Sequence, residues 1–291
     1  MDNLKENNDS NKIASCKSDA LFKSVVGCEK GKSILKNVLE EILEKQIMFL
    51  EIKNNELEKN SIWEQGKRVD CIAKIDDMFI DIEINTGMSK AIRDRNLRYL
   101  LSKYLNQYKE GDSYYTSRKG VLIDMDWNRD YDKLVSKYEL REENGKKDIY
   151  SDKLVVYKID MEKFKNSCYT KEEGLKYKYL KMLTIEDKEE LLKYTKGDKI
   201  MEKYAKDTID MNNDDEFKDI LTWEEDQRLI MESALLYAKD EGIVQGIEQG
   251  IEKGEYSKQI EIAKNMIKKD LDISLVSEVT GLTIKEIESL K

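Results

Sequence analysis

The chain has 291 residues, of which 40% are hydrophobic and 38% are charged, and its formal net charge at pH 7 is −9. This length and composition predict a soluble globular protein with a substantial core. The absence of histidine excludes Ser-His-Asp and Cys-His catalysis as well as metal sites built on histidine. Carboxylate and carbonyl oxygens, which suit hard cations, remain as ligands.

Nothing in the sequence indicates a membrane or an oxidising compartment. No apolar run approaches the roughly 20 residues of a membrane span, and the polar N-terminus does not resemble a signal peptide. The four cysteines have no CxxC spacing and indicate unpaired thiols in a reducing compartment. We therefore predict a cytoplasmic protein with no membrane partner.

The first predicted elements are two helices. Residues 1–15 are polar and are predicted to be disordered. A helix is predicted from Asp19, with Ser18 as its N-cap. After the interruption at residues 27–31, a second helix is predicted from Ser33, and its apolar stripe of period 3.6 is typical of a helix that covers a sheet.

The segment RVDCIAKIDDMFIDIEIN, residues 68–85, contains two short apolar runs separated by aspartates at 76–77, which predicts a β-hairpin. A symmetrical turn at these aspartates places Asp70 directly opposite Glu83. Like charges in this position weaken a sheet, so either the strands pair differently or a cation compensates, most simply a divalent metal. Glu83 and Asn85 share one strand face and the isoleucines share the other, since side chains alternate along a strand.

The elements around the hairpin complete an α/β domain. Residues 46–53 are predicted as a strand, and residues 89–109 as an amphipathic helix. Further strands are predicted at residues 120–126 and 153–160, with the charged segment 128–150 between them as a loop or short helix. Periodicity alone therefore indicates a mixed α/β domain.

Basic residues are concentrated in the middle of the chain. Residues 86–123 contain eight Lys or Arg against three Asp or Glu, whereas residues 223–256 contain three against nine. The overall negative charge disfavours a nucleic-acid partner, but the basic middle segment favours one.

The C-terminal part is predicted to be a helical region, residues 223–291, after a linker at residues 210–222. Glycines recur every four residues at positions 242, 246, 250 and 254. Since each glycine costs about 1 kcal/mol in a helix, we expect a second helix to pack along this face, most simply from another copy of the chain. Two short helices close the chain, the last capped by Thr283 and Glu286, and we favour packing or oligomerisation over direct DNA reading for them.

Several motifs are similar to those of one nuclease family. They are Asp70 with Glu83-x-Asn85, Asp19-x-x-Phe22-Lys23, Arg95-x-x-x-Tyr99, Gly120-Val-Leu-Ile-Asp124, and the tail GIxxGIxxGIxxG followed by TGLTIKEIESLK. In this order they resemble the PD-(D/E)XK nuclease superfamily, and in particular its recombination-promoting nuclease and transposase branch. The resemblance implies a restriction-endonuclease-like α/β core over residues 16–209, with a mixed central sheet flanked by helices and a helical C-terminal extension.

The same resemblance implies a metal-dependent DNA endonuclease of recombination or mobile elements. Asp70, Glu83 and the main-chain carbonyl of Ile84 would hold Mg²⁺, with Mn²⁺ as a substitute. DNA contacts are expected from the helix after the hairpin, through Lys90, Arg93, Arg95, Arg98 and Tyr99. A structural ion pair is an equal alternative for Arg95, and Asp81, which has no place in the motif, is expected to pair with a basic residue.

Asn85 stands where the motif has a lysine. A neutral amide can bind water but carries no charge, so either a nearby cation substitutes or cleavage is weak. The candidates are Lys74, Lys90 and Arg95, and Lys74 is favoured because it shares a strand face with Asp70. The alternative function is a nuclease fold that binds DNA or a protein partner without turnover, and RNA remains open as a substrate.

Overall fold

A computed structural model describes residues 11–53, 71–75, 78–86, 90–108, 111, 119–127, 131–141 and 149–290. The chain divides into two compact units, Met1–Thr222 and Trp223–Lys291. The first unit contains a mixed sheet flanked by helices, as predicted.

Six strands form the sheet in the order β1-β2-β3-β4-β6-β5. They are β1 (Glu51–Lys53), β2 (Cys71–Ile75), β3 (Met78–Asn85), β4 (Lys119–Asp126), β5 (Val135–Arg141) and β6 (Ile149–Asp160). The central strands β3, β4 and β6 are parallel to one another, while β1 and β2 on one side and β5 on the other pair antiparallel.

The helices of this unit precede, interrupt and follow the strands. They are α1 (Asp19–Val25), α2 (Lys32–Leu43), α3 (Lys90–Leu105), α4 (Met161–Lys165), α5 (Lys171–Lys176), α6 (Lys178–Met182), α7 (Lys188–Thr195) and α8 (Lys199–Asn213). The N-cap of α1 is Ser18, whose side chain accepts from the backbone N–H of Leu21, as the sequence predicts.

One face of the sheet forms the hydrophobic core together with α1 and α2. Ile80 and Ile82 of β3 and Ile123 of β4 are completely buried and belong to the same apolar cluster as Phe22 of α1 and Leu35 of α2. The predicted apolar stripe of the second helix therefore covers the sheet.

The pairing of β2 with β3 has the register that a symmetrical turn at residues 76–77 predicts. Lys74 lies opposite Phe79, and Ile75 lies opposite Met78. Asp70 and the turn at residues 76–77 lie outside the described residues, so the opposition of Asp70 and Glu83 stays a prediction.

Several predicted elements differ from the structure. The segment 128–150 was predicted as loop or short helix, which is wrong over residues 135–141, because this polar sequence forms the edge strand β5, where both faces tolerate charge. The strand predicted at residues 46–53 is confined to β1. Residues 11–15, predicted to be disordered, are anchored by backbone pairing such as that of Ile13 with Glu186.

The stretch predicted as a linker, residues 210–222, is helical except at Asp214. Asp214 separates α8 from a 53-residue helix, α9 (Asp215–Ile267), and accepts the backbone N–H of Phe217. A short polar side chain that caps a helix can end one helix and begin the next without a flexible segment.

The second unit contains most of α9 and two short helices, α10 (Ile273–Thr280) and α11 (Ile284–Glu288). Ala263, Val276, Leu282 and Ile287 form a small apolar cluster between them. Thr283 and Glu286 make a capping box, and Gly281 at φ +71° ends α10 in the left-handed conformation that favours glycine. No helix among the described residues is long and apolar enough to cross a membrane.

Candidate active site

The second face of the sheet carries buried acidic side chains where the parallel strands end. Five carboxylates, each at most 4% exposed, lie on this face: Asp81, Glu83, Asp124, Asp126 and Asp160. The register places Asp124 of β4 directly between Glu83 of β3 and Lys158 of β6. Because directly paired residues of neighbouring strands point to the same side, these side chains share one surface.

Helix α3 lies over this polar face. Asn96 and Leu100 are completely buried, whereas Leu97 and Leu101, which the predicted apolar stripe includes, are 45% and 37% exposed. A Cβ at Gly120 would lie 3.3 Å from a side-chain carbon of Leu100, so glycine allows the helix to approach β4 closely. The side of α3 that faces the sheet thus combines Leu100 with Asn96, because buried polar groups of the sheet need a polar partner.

Glu83 is paired with Arg95 of α3. Arg95 Nη2 lies 3.2 Å from Glu83 Oε2, with the carboxylate 1% exposed and the arginine side chain 47% exposed. Arg95 Nε also donates to Asn96 Oδ1 at 3.1 Å, and the guanidinium lies 5.8 Å from the centre of the Tyr99 ring. The ion pair expected as one alternative for Arg95 is therefore present.

Both ends of the Asn85 amide are engaged. Its Nδ2 donates to Asp124 Oδ1, and its Oδ1 accepts from Asn96 Nδ2 at 3.3 Å. The side chain is 3% exposed. Asn85 is thus held in a buried polar network that joins β3, β4 and α3.

The acidity of Asp124 is perturbed. Burial raises the pKa of Asp124 to about 6, and the neighbouring Asp126 adds to the rise. The charges of Lys158 and Arg93 and the hydrogen bond from Asn85 oppose it. Burial also lowers the pKa of Lys158, which attraction to Asp124 partly offsets.

Tyr131 contacts two of the carboxylates at the end of the polar face. Its hydroxyl donates to Asp126 Oδ2 at 2.8 Å, and its backbone N–H donates to Asp160 Oδ2 at 2.8 Å. Asp160 also caps α4 by accepting the backbone N–H of Lys163. Burial and the hydrogen bond to Asp126 raise the pKa of Tyr131.

Asp81 is completely buried one step further along β3. Lys103 of α3 interacts with it, because the attraction of Asp81 raises the pKa of Lys103 against the lowering by burial. The expectation that Asp81 pairs with a basic residue stays a prediction, with Lys103 as the candidate partner.

The chain matches the model of the PD-(D/E)XK nuclease family transposases over residues 16–240. The chain belongs to this family. The comparison with curated proteins found no match, and neither did the comparison with solved structures. PD-(D/E)XK nucleases typically use a divalent metal, and the donor chemistry fits, since Glu83 offers hard oxygen ligands and already has a cation beside it.

The predicted site residues of this PD-(D/E)XK protein are only partly brought together. Arg93 and Arg98 are exposed on α3, and the charge of Arg93 acts on Asp124. Lys74 is exposed on the polar face but at the level of Phe79, four residues from the level of Glu83, which is about 13 Å along the strand. Asp70 and the side chain of Lys90 lie outside the described residues.

Among the described residues, no group of three or more Cys, Asp or Glu side chains has the arrangement of a metal site. The predicted ligand set combines Glu83 and the Ile84 carbonyl with Asp70, which is not described. The ligand set therefore stays a prediction.

Sequence reasoning assigned no site role to the polar residues of the two neighbouring strands, although Asp124 stands in one of the motifs. Asp124 and Asp126 end β4 in the pattern VLIDMD, and Lys158 and Asp160 end β6 in the pattern VVYKID. In both strands a polar residue alternates with an apolar one only in the last four positions. Since ligands bind at the carboxyl ends of parallel strands, this change of pattern was a usable signal.

Proposed function

We propose that this protein is a metal-dependent deoxyribonuclease that hydrolyses phosphodiester bonds within DNA. Its membership of the PD-(D/E)XK nuclease family transposases supports this reaction class. The observation that carries the proposal is the buried Glu83 carboxylate, paired with Arg95 at the end of the parallel strands. Burying a carboxylate is costly, which makes a functional reason for its presence a sound hypothesis.

Asp70, Glu83 and the main-chain carbonyl of Ile84 are the proposed ligands of Mg²⁺, with Mn²⁺ as a substitute. A bound divalent cation would polarise the scissile phosphate and favour ionisation of a water molecule. In its absence Arg95 compensates the charge of Glu83, and we expect Arg95 to turn toward a DNA phosphate when another cation takes that role.

The exposed basic residues of α3 are the proposed DNA contacts. Arg93, Arg95 and Arg98 are all exposed on this helix, and Tyr99 lies beneath the Arg95 guanidinium. Lys90, which opens the helix, completes the set. Contacts to phosphates depend on salt, so DNA affinity should fall steeply as the salt concentration rises.

Weak turnover is expected because Asn85 has a neutral side chain whose two ends are engaged by Asp124 and Asn96. We expect Asn85→Lys to raise the cleavage rate by about tenfold, as a positive charge near the phosphate stabilises the transition state. A measurable native rate that stays unchanged or falls in Asn85→Lys would contradict the assignment of Asn85 to the motif lysine position.

Supercoiled plasmid incubated with Mg²⁺, Mn²⁺ or EDTA tests the proposed function. The native chain and the control Glu189→Ala, which removes an exposed carboxylate of α7, should nick or linearise the plasmid with metal and not with EDTA. Asp70→Ala and Glu83→Ala should not cut. Unchanged cleavage in either variant would overturn the site, and an RNA substrate in parallel decides whether DNA is preferred.

The alternative is a nuclease fold that binds DNA or a protein partner without turnover. The engaged amide of Asn85 favours this alternative. This alternative would be established if neither the native chain nor Asn85→Lys cuts DNA with any metal and both still shift DNA in a gel.

We also propose that α9 mediates self-association. Ile243, Ile247 and Ile251 are 50–57% exposed, and a Cβ added to any of the four glycines beside them would meet no described atom within 4 Å. This face is therefore open to close approach by another helix, most simply from a second copy.

Light scattering on the full chain tests this association. The native chain and a Gln245→Asn/Gln249→Asn control should have the mass of a dimer, and a triple Ile→Asn variant at positions 243, 247 and 251 that of a monomer. A truncated chain that lacks this face of α9 is a second comparison. It should end at Thr222 and not near Asn212, because Phe217 is buried in the core of the first unit. A monomeric native chain would contradict self-association.

A further inference from the structure

A lysine lies in the same row of the sheet as the candidate metal ligand Glu83. Glu83, Asp124 and Lys158 are directly paired across β3, β4 and β6. Two strand spacings separate the backbones of Glu83 and Lys158, which is about 10 Å. A lysine side chain extends about 6 Å, so its ammonium group can reach a phosphate bound in front of Glu83.

The ammonium group of Lys158 lies between two tyrosine rings, one of them on β5, and would turn toward β4 to meet a phosphate in front of Glu83. It lies 5.3 Å from the centre of the Tyr131 ring and 5.9 Å from that of Tyr138. Its charge interacts with Asp124 and Asp126. Lys158 is half-buried, and such surroundings strengthen the effect of a charge on a nearby phosphate.

Lys74 and Arg95, two of the three cations predicted from the sequence, are less well placed. Lys74 lies about 13 Å along the strand from the level of Glu83, beyond the reach of its side chain. Arg95 is engaged by Glu83 itself. Lys158 is at the level of Glu83 and on the same face.

We propose that Lys158 supplies the positive charge that the lysine of the PD-(D/E)XK motif supplies in other nucleases. This inference rests on the proposed function. In the reaction the oxygen of water forms a bond to phosphorus, the bond from phosphorus to the leaving sugar oxygen breaks, water releases a proton to solvent and the leaving oxygen takes one up. Lys158 transfers no proton, and its ammonium group stabilises the negative charge that develops on the phosphate oxygens.

Neutral substitutions of Lys158 test the proposal in the full chain with Mg²⁺. The single-turnover cleavage rate should fall about 100-fold in Lys158→Met, while the affinity for DNA in EDTA changes less than about threefold, since one phosphate contact is a small part of the whole. Lys158→Arg should retain part of the rate. The matched control is Lys153→Met, because Lys153 lies on the same strand, five residues before Lys158 and outside the part that pairs with β4.

Rescue separates a role in catalysis from a role in holding Asp124 and Asp126. Asn85→Lys should raise the rate of Lys158→Met at least about 30-fold, against about tenfold in the native chain, because the added lysine then replaces a missing charge. This excess is the recovery expected of a catalytic role, and a merely structural role predicts the same gain in both backgrounds. If Lys158→Met unfolds at the assay temperature, Lys158→Gln, which keeps a polar group without the charge, is compared in the same way.

The outcomes distinguish the two proposals. Native cleavage with a Lys158→Met or Lys158→Gln rate within threefold of native would overturn the role of Lys158 and leave the proposed function intact. A folded double variant without recovery would also overturn it. A native chain that cuts no DNA with any metal would remove the proposed function, and the role of Lys158 with it.

Discussion

The two faces of β3 and β4 differ completely although the same two strands build both. On one face Ile80, Ile82 and Ile123 are completely buried in the apolar core. On the other, Glu83 and Asp124 are buried almost as deeply, at 1% and 3% exposure. Alternation of side chains along a strand turns one short sequence, IDIEIN, into a core surface and an acidic surface.

This contrast shows that the residues of the apolar face stabilise the fold, whereas the buried carboxylates of the acidic face do not. Burial of isoleucine stabilises the folded state, whereas burial of carboxylates costs free energy unless cations and hydrogen bonds compensate. Arg95 compensates Glu83, and Lys158 with Asn85 compensates Asp124. An acidic surface maintained in this way is expected at a functional site.

Neighbouring alanine substitutions on β3 test this contrast with the largest expected effect. Ile82→Ala should lower the free energy of unfolding by about 2–5 kcal/mol, because it leaves a cavity in the core. Glu83→Ala should leave the free energy of unfolding equal or higher, since it removes a buried charge and frees Arg95 to return to solvent. Denaturant unfolding in EDTA measures both, and equal losses in the two variants would contradict the contrast.

Asp124→Asn tests the contrast through the pH dependence of the free energy of unfolding. The folded pKa of Asp124 is about 6 against an ordinary value of 3.8, so ionisation is disfavoured on folding. This cost is absent below pH 4, where the carboxyl is protonated in both states, and is fully present above pH 6. Since one pKa unit corresponds to about 1.4 kcal/mol, the cost reaches about 3 kcal/mol.

Asp124→Asn keeps an acceptor for the Asn85 amide, so it should be as stable as the native chain at pH 4 and more stable by up to about 3 kcal/mol at pH 8. Denaturant unfolding at both pH values, in EDTA, checks this expectation. A stability difference that is the same at pH 4 and pH 8 would show that ionisation of Asp124 carries no such cost.

Arg95→Ala tests the compensation of Glu83. The arginine side chain is 47% exposed, but the carboxylate that it leaves behind is buried, so the free energy of unfolding in EDTA should fall by about 2–3 kcal/mol. Mg²⁺ should restore part of the loss, because a bound cation also compensates Glu83. The control Arg98→Ala removes an exposed arginine of the same helix and should lose less, and an equal loss in both variants, unaffected by Mg²⁺, would argue against the role of the pair.

Local patterns were sufficient to predict the hairpin. Alternating isoleucines fix which face of β3 is buried, and a symmetrical turn gives the observed pairing of Lys74 with Phe79. The Ser18 cap and the capping box at Thr283 were predictable for the same reason, because each depends on residues within one turn of helix.

Features that depend on distant parts of the chain were not predicted. β5 is polar and was taken as loop or short helix, since an edge strand needs no apolar face. The side of α3 that faces the sheet, with Asn96 buried and Leu97 exposed, depends on the acidic surface beneath the helix. Lys158 joins the site only because β6 pairs with β4 in parallel, and a pattern within β6 does not specify that neighbour.

Calorimetric titration of Mn²⁺ or Mg²⁺ into the native chain and into Glu83→Ala tests most directly whether the acidic face is a metal-dependent site. The native chain should bind the cation, and Glu83→Ala should show no binding heat at the same ion concentrations while keeping at least native stability. Identical titrations for the two proteins, or no binding to either at millimolar ion, would contradict the account.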